Sequence, residues 1–224
     1  RVMTGNFQFC VVADAMDKGF DQFDLDAAFA ALKKGSDEDV DNAFSDSLCG
    51  MFNQGTPPEY VELGYVPLEC DQDQAASMTL EHATCDWCVA RFAEDTGRAD
   101  EANRYYQRSD NYKNVFNPSH SMMQSKDRDG NWVEPFDPES TIGFTEANSW
   151  QYTWFVPHDV CGLMELMGGR EGFKTLLDAF FDGGYYVMEN EPDFHAAWLY
   201  DFIGDVDRAS TIIRDLVDTE FSTD

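Results

Sequence analysis

Residues 143–159 read Gly-Phe-Thr-Glu-Ala-Asn-Ser-Trp-Gln-Tyr-Thr-Trp-Phe-Val-Pro-His-Asp, a dense run of groups able to do chemistry. Carboxylates, amides and an imidazole are interleaved with flat aromatic rings. Such a mixture suits a sugar: polar groups bond hydroxyls, rings stack on ring faces, and a protonated carboxyl can act as proton donor. Glu146 is the candidate acid, because a glutamate set among aromatics is desolvated and therefore favoured in its protonated form. The competing account makes Trp150, Trp154 and Phe155 core residues and Glu146 a surface or capping residue.

A second constellation is Glu189-Asn190-Glu191-Pro192-Asp193-Phe194-His195. Its carboxylate and amide oxygens suit a hard cation such as calcium, although acidic residues clustered before a helix also serve as caps. A third group, Glu81 and Asp86 beside Trp87, could bind ligand or form a solvated helix face. His82, Cys85 and Cys88 are spaced like a redox or zinc motif, but no second ligand pair has suitable spacing. The acidic run at 37–41 lacks the glycine and closing glutamate of a calcium loop, and Asp127-Arg128-Asp129-Gly130 places its glycine too early. No Gly-x-Ser-x-Gly elbow, phosphate-binding glycine loop or His-Glu-x-x-His is present, so serine hydrolase, nucleotide-binding and zinc protease readings lose their usual support.

Helices must position these groups. Asp24 opens a run over 25–35 with an acidic first turn, a basic last turn and a closing glycine, which predicts a helix. Apolar residues at helical spacing predict a second over 77–96 and a third over 99–116, forming a helical hairpin. Helices are also predicted over 171–181, 192–203 and 206–220, the first of the last two opening with a proline suited to a first turn. Residues 117–148 read as a long, ordered, functional connection with a short hairpin around Asp129-Gly130. Without repeats or a strand set large enough for a sheet, the expectation is an all-α fold of hairpins, a toroid or bundle with its loops gathered at one end.

The composition narrows the partners. Of 224 residues, 43 are acidic and 15 basic, a formal charge of −28, which opposes binding to nucleic acid or anionic lipid. Aspartate outnumbers glutamate by 28 to 15, which predicts a densely hydrated surface adapted to salt. No apolar run reaches the roughly 20 residues a membrane-spanning helix requires. The six cysteines are scattered through a chain large enough to bury a core without staples, so buried free thiols are expected, with disulfides as the alternative.

Several segments together resemble glycoside hydrolase family 92. They are Thr79-Leu80-Glu81 with Asp86-Trp87-Cys88, Arg108-Ser109 with Asn111-Tyr112-Lys113-Asn114, and Asp129-Gly130-Asn131-Trp132 with Pro135-Phe136-Asp137-Pro138. The whole of 143–159 is similar to that family's acid-bearing motif, and Asn190-Glu191-Pro192-Asp193 to its calcium-associated loop. Asp14-Ala15 with Lys18-Gly19, and Gly64-Tyr65-Val66-Pro67, extend the resemblance over nearly the whole chain.

The resemblance implies a calcium-dependent, inverting exo-α-mannosidase acting on mannose-containing glycans in a secreted or periplasmic setting. It implies Glu146 as general acid and Asn190 and Glu191 as calcium ligands. Trp150, Gln151, His158 and Asp159 would shape the sugar pocket, with Glu81, Asp86 and Trp87 as further substrate-binding residues. Residues 1–224 would then form part of one catalytic domain, an incomplete (α/α)6 toroid. The β-sandwich, the end of the toroid and the paired aspartates that supply the base are expected outside 1–224, so these residues alone should not turn over substrate. A glycan-binding protein that keeps the pocket without the base is the alternative, and an acidic scaffold with no sugar site a third. Phe194, His82, Thr84 and Cys85 depart from the family pattern, which bears on pocket detail and substrate preference.

Overall fold

The computed structural model describes residues 5–37, 55–188 and 190–221. Glu189, most of the acidic run at 37–41 and the last three residues lie outside them. The architecture is all-α. Its helices are α1 (Gln8–Asp17), α2 (Leu25–Asp37), α3 (Pro58–Leu63), α4 (Ala75–Asp95) and α5 (Ala99–Ser109), followed by α6 (Ser149–Tyr152), α7 (Val160–Leu166), α8 (Arg170–Asp182), α9 (Leu199–Phe202) and α10 (Val206–Glu220). The only sheet among the described residues pairs β1 (Phe116–Asn117) antiparallel to β2 (Met122–Met123).

Asp24 caps α2 as expected, its Oδ1 accepting from the amides of Asp26 at 3.1 Å and Ala27 at 3.0 Å. Gly35, expected to close that helix, lies inside it. A Cβ there would come within 2.7 Å of the Phe9 ring, so the glycine permits close packing of α1 on α2.

Helix α4 is central: it packs most extensively on α5, with α1 and α2 also against it, and is buried almost all round. Around it lie two apolar clusters, one with Phe9, Leu32, Phe92 and Tyr105, the larger with Leu80, Tyr152, Trp154 and Phe180. Trp154 is core, ringed by Phe173 and Phe180.

Two predicted helices end differently. The third stops at Ser109 and tightens into a 3-10 turn over Asp110–Val115 before β1. The Ser109 carbonyl, left open at the helix end, meets the His158 ring at 3.1 Å. The run at 192–203 divides into 3-10 turns at Glu191–Asp193 and Ala196–Trp198 and then α9. Tertiary bonds shape it: Asp193 turns inward to accept from the Val187 amide at 3.0 Å, and His195 meets the Trp154 carbonyl at 2.8 Å.

In the long connection, the turn at Asp129-Gly130 is present. Lys126 bridges Trp132, and the Asp127 carboxylate accepts from the Asn131 amide at 2.8 Å.

Among the described residues, the expectation of free thiols holds for Cys85, which is buried, and Cys161, which is exposed. Cys10 is bonded to Cys88, and Cys70 is also disulfide-bonded. The Cys10–Cys88 cross-link ties α1 to α4 although the chain is large enough to bury a core without it. With Cys88 in a disulfide and His82 packed on the Tyr60 ring, the His82, Cys85 and Cys88 spacing forms no zinc or redox motif. No helix among the described residues is long and apolar enough to cross a membrane.

Candidate active site

Helix α4, the N-terminal segment and the 3-10 turn at Glu191 enclose a cleft of about 320 Å³. Its walls are Phe7, Glu81, Tyr152, Phe155, Glu191 and Pro192. The volume lies at the lower end of the range of small-molecule sites, with apolar walls and a few polar groups. Phe155 meets Phe7 edge-on at 6.1 Å and Tyr152 at 6.0 Å, which fixes the aromatic side. Glu81 is buried, and the Tyr152 hydroxyl donates to its Oε1 at 3.2 Å. Burial, then the Glu81 charge, pushes the Tyr152 phenol well above its usual range, so it stays a donor.

The loop carrying Glu146 is anchored on both sides. The Thr145 amide donates to the Ser77 Oγ of α4 at 2.8 Å. Asn148 and Gln151 form a reciprocal cap at the start of α6, the Asn148 side chain accepting from the Trp150 amide at 2.9 Å and Gln151 Oε1 from the Asn148 amide at 3.0 Å. Between the anchors Glu146 adopts a left-handed backbone, φ 53°, which costs a non-glycine residue about 1–2 kcal/mol. The Asn190 Nδ2 donates to the Glu146 carbonyl at 3.0 Å across 44 residues of sequence. Glu146 itself is exposed, contrary to the burial among aromatics expected for it, and is not one of the residues lining the cleft.

The structure thus gathers Glu81 and Glu191 in one cleft and joins Asn190 to Glu146. Trp150 stacks on Tyr185 with ring centroids 4.1 Å apart, and Gln151 Nε2 donates to the Tyr185 carbonyl at 3.0 Å, so both brace the segment leading to the Glu191 turn.

Four other predicted residues are engaged elsewhere. His158 bridges the Thr84 hydroxyl and the Ser109 carbonyl, each at 3.1 Å, and burial lowers its basicity. Asp159 caps α7, accepting from the Gly162 amide at 2.9 Å and the Tyr112 hydroxyl at 2.8 Å. Asp86 is buried against Arg108, and Trp87 packs on the cluster around Phe9 and Phe92. Of the other cleft walls, Tyr152 and Phe155 lay within the motif-rich stretch without being singled out. Phe7 carried no local signal, because helix packing alone brings it to the cleft.

The described residues hold no group of three His, Cys, Asp or Glu side chains placed to bind a metal ion. Asn190 and Glu191 offer hard oxygen donors of the type calcium prefers, but two side chains are fewer than its six to eight oxygen ligands. Donor chemistry fits calcium, while a full shell would need further oxygens.

A model of the glycosyl hydrolase family 92 catalytic domain matches residues 1–224. The chain belongs to that family. Among solved structures, a family GH92 inverting mannosidase of Bacteroides thetaiotaomicron is 34% identical, with TM-score 0.85 over 97% of this chain and 32% of its own. A GH92 α-mannosidase of the same organism, in complex with mannoimidazole, is 29% identical, with TM-score 0.84 over 97% of this chain and 30% of its own. An uncharacterized secreted glycosidase of Arthroderma benhamiae is 28% identical over 87% of this chain and 28% of its own length. The chain therefore spans about a third or less of the length of these relatives.

Proposed function

We propose that this family 92 chain contributes to the active site of a secreted or periplasmic α-mannosidase that releases terminal mannose from glycans with inversion. The observation carrying the reading is the junction of the Glu146 loop with the Asn190-Glu191 turn, beside a cleft holding Glu81 and aromatic rings. Glu146, as a carboxylic acid, gives its proton to the glycosidic oxygen while the bond from that oxygen to the anomeric carbon breaks. Water attacks the opposite face and yields its proton to a second carboxylate acting as base, which is none of the residues named above. Glu81 and Tyr152 bind sugar hydroxyls, and Phe155 and Phe7 shield the ring from water. Asn190 and Glu191 would contribute oxygens to calcium, which would supply Lewis-acid chemistry to the sugar hydroxyls. Residues 1–224 belong to one catalytic helical domain, an arc of an (α/α)6 toroid. The Cys10–Cys88 bond supports an oxidising compartment.

The test is mannose release by the full-length protein from an α-mannoside with a poor leaving group. Glu146→Gln should reduce kcat by about 10²–10⁴-fold, the usual contribution of general acid catalysis, and a chelator should abolish turnover until calcium is restored. Mannoside binding without release by the unmodified full-length protein would overturn the hydrolase and leave a glycan-binding protein. Full activity of the Glu146→Gln variant would remove the acid assignment.

A further inference from the structure

We infer that Asn190 is a positioning residue for Glu146, acting through the backbone of the acid rather than only through a metal. The inference rests on the reading of Glu146 as proton donor.

Three observations carry it. Glu146 is one of only two non-glycine residues with positive φ among those described, so its side chain leaves the backbone in a direction the chain does not adopt by default. Thr145 before it is held by a buried bond to α4 and Asn148, two residues after it, by the cap of α6, and neither bond involves the Glu146 peptide carbonyl. The Asn190 carboxamide does, donating Nδ2–H to the Glu146 carbonyl at 3.0 Å. Rotation about the Glu146 ψ bond changes the angle between that carbonyl and the side chain, so with the carbonyl held by Asn190 the direction in which the side chain leaves is held as well.

The turn bearing Asn190 is built to hold that carboxamide in place. Asp193 is fully buried and accepts from the Val187 amide at 3.0 Å, while the Asn190 amide itself donates to the Val187 carbonyl at 3.2 Å. These bonds tie Asn190 and Asp193 to Val187. Because the Asn190 nitrogen is used on Glu146, its Oδ1 remains directed elsewhere, and one side chain can serve both the acid and an oxygen-seeking ligand. A shift at the turn is then felt at the acid without direct contact between their side chains.

Asn190→Asp separates this role from metal binding, since a carboxylate keeps the oxygen donors but cannot donate to a carbonyl. The full-length protein is assayed with calcium in excess on two aryl α-mannosides, one with a leaving group that departs without protonation and one that needs it. Glu146→Gln is the control and should lose kcat on the poor leaving group far more than on the good one. Asn190→Asp is expected to show the same leaving-group dependence, with kcat on the poor substrate reduced about 10–100-fold, KM little changed and calcium affinity equal or higher. Equal loss on both substrates, or full recovery at higher calcium, would overturn the positioning role while sparing the acid. A Glu146→Gln control without leaving-group dependence would sink the acid reading itself, and the inference with it.

Discussion

The guanidinium of Arg108 grips both carboxylate oxygens of Asp86, with Nε to Oδ2 at 2.7 Å and Nη2 to Oδ1 at 2.6 Å. Asp86 also accepts from the Ser36 hydroxyl at 2.6 Å and the Tyr60 hydroxyl at 2.8 Å, so α2, α3, α4 and α5 meet at one carboxylate. Burial pushes that carboxyl up, and the guanidinium and the two hydroxyls pull it back. The Asp86→Asn variant leaves a buried guanidinium short of its partner, a change that costs about 3–5 kcal/mol. Asp37, 3.0 Å from Arg108, should keep the loss near the lower end. Urea unfolding measures it. An unchanged midpoint would show that the pair holds nothing together.

Acid should destabilise the fold through its histidines. Burial, aided by the Arg108 charge, lowers His82 to about 4, whereas an exposed histidine titrates near 6.5. Between those values the unfolded chain binds the extra proton, so the stability from a neutral His82 is complete above about 6.5 and is lost as pH falls toward 4. His158 and His195 are lowered by burial too and act in the same direction. The melting temperature should fall between pH 6.5 and 4.5, less steeply in a His82→Gln variant. Identical slopes would exclude His82 as a source.

Cys10 and Cys88, 78 residues apart, tie α1 to α4. Closing a loop of that length removes about 4.5 kcal/mol of unfolded-state entropy on the chain-entropy model. The Cys10→Ala/Cys88→Ala double variant should melt at lower temperature under non-reducing conditions. Because α1 follows directly on Phe7, the mannoside binding proposed for the full-length protein should also weaken. Unchanged melting would mean that packing of Phe9 on Gly35 alone secures the helix.

A charge of −28 repels itself, and the Debye length falls from about 10 Å at 0.1 M salt to about 3 Å at 1 M. Sodium chloride over that range should raise the melting temperature. Indifference to salt would indicate that local pairs such as Arg104 with Asp37 already neutralise the surface where it matters.

The legible parts of the fold were those set by neighbours in sequence. The Asp24 cap, the α4–α5 hairpin and the turn at Asp129-Gly130 depend on contacts within a few residues, which spacing reports directly. Glu81 and Asp86 could have been separated on the same ground, because five residues along a helix turn the side chain by about 140°. One faces the cleft and the other Arg108. His158 and Asp159 are harder cases. Their residue types suit a sugar pocket and a structural cap equally well, and only the Ser109 carbonyl, the Thr84 hydroxyl and the Gly162 amide distinguish the two.

The chain of residues by itself determined the all-α class, the acidic surface and the family, since each follows from local periodicity, charge count or an ordered set of motifs. Only the tertiary structure decided that Phe7 walls the cleft, that Cys10 meets Cys88, and that Asn190 holds the Glu146 backbone. Those pairings join positions tens of residues apart. Their energies depend on how helices pack around α4, a quantity that no window of the sequence contains.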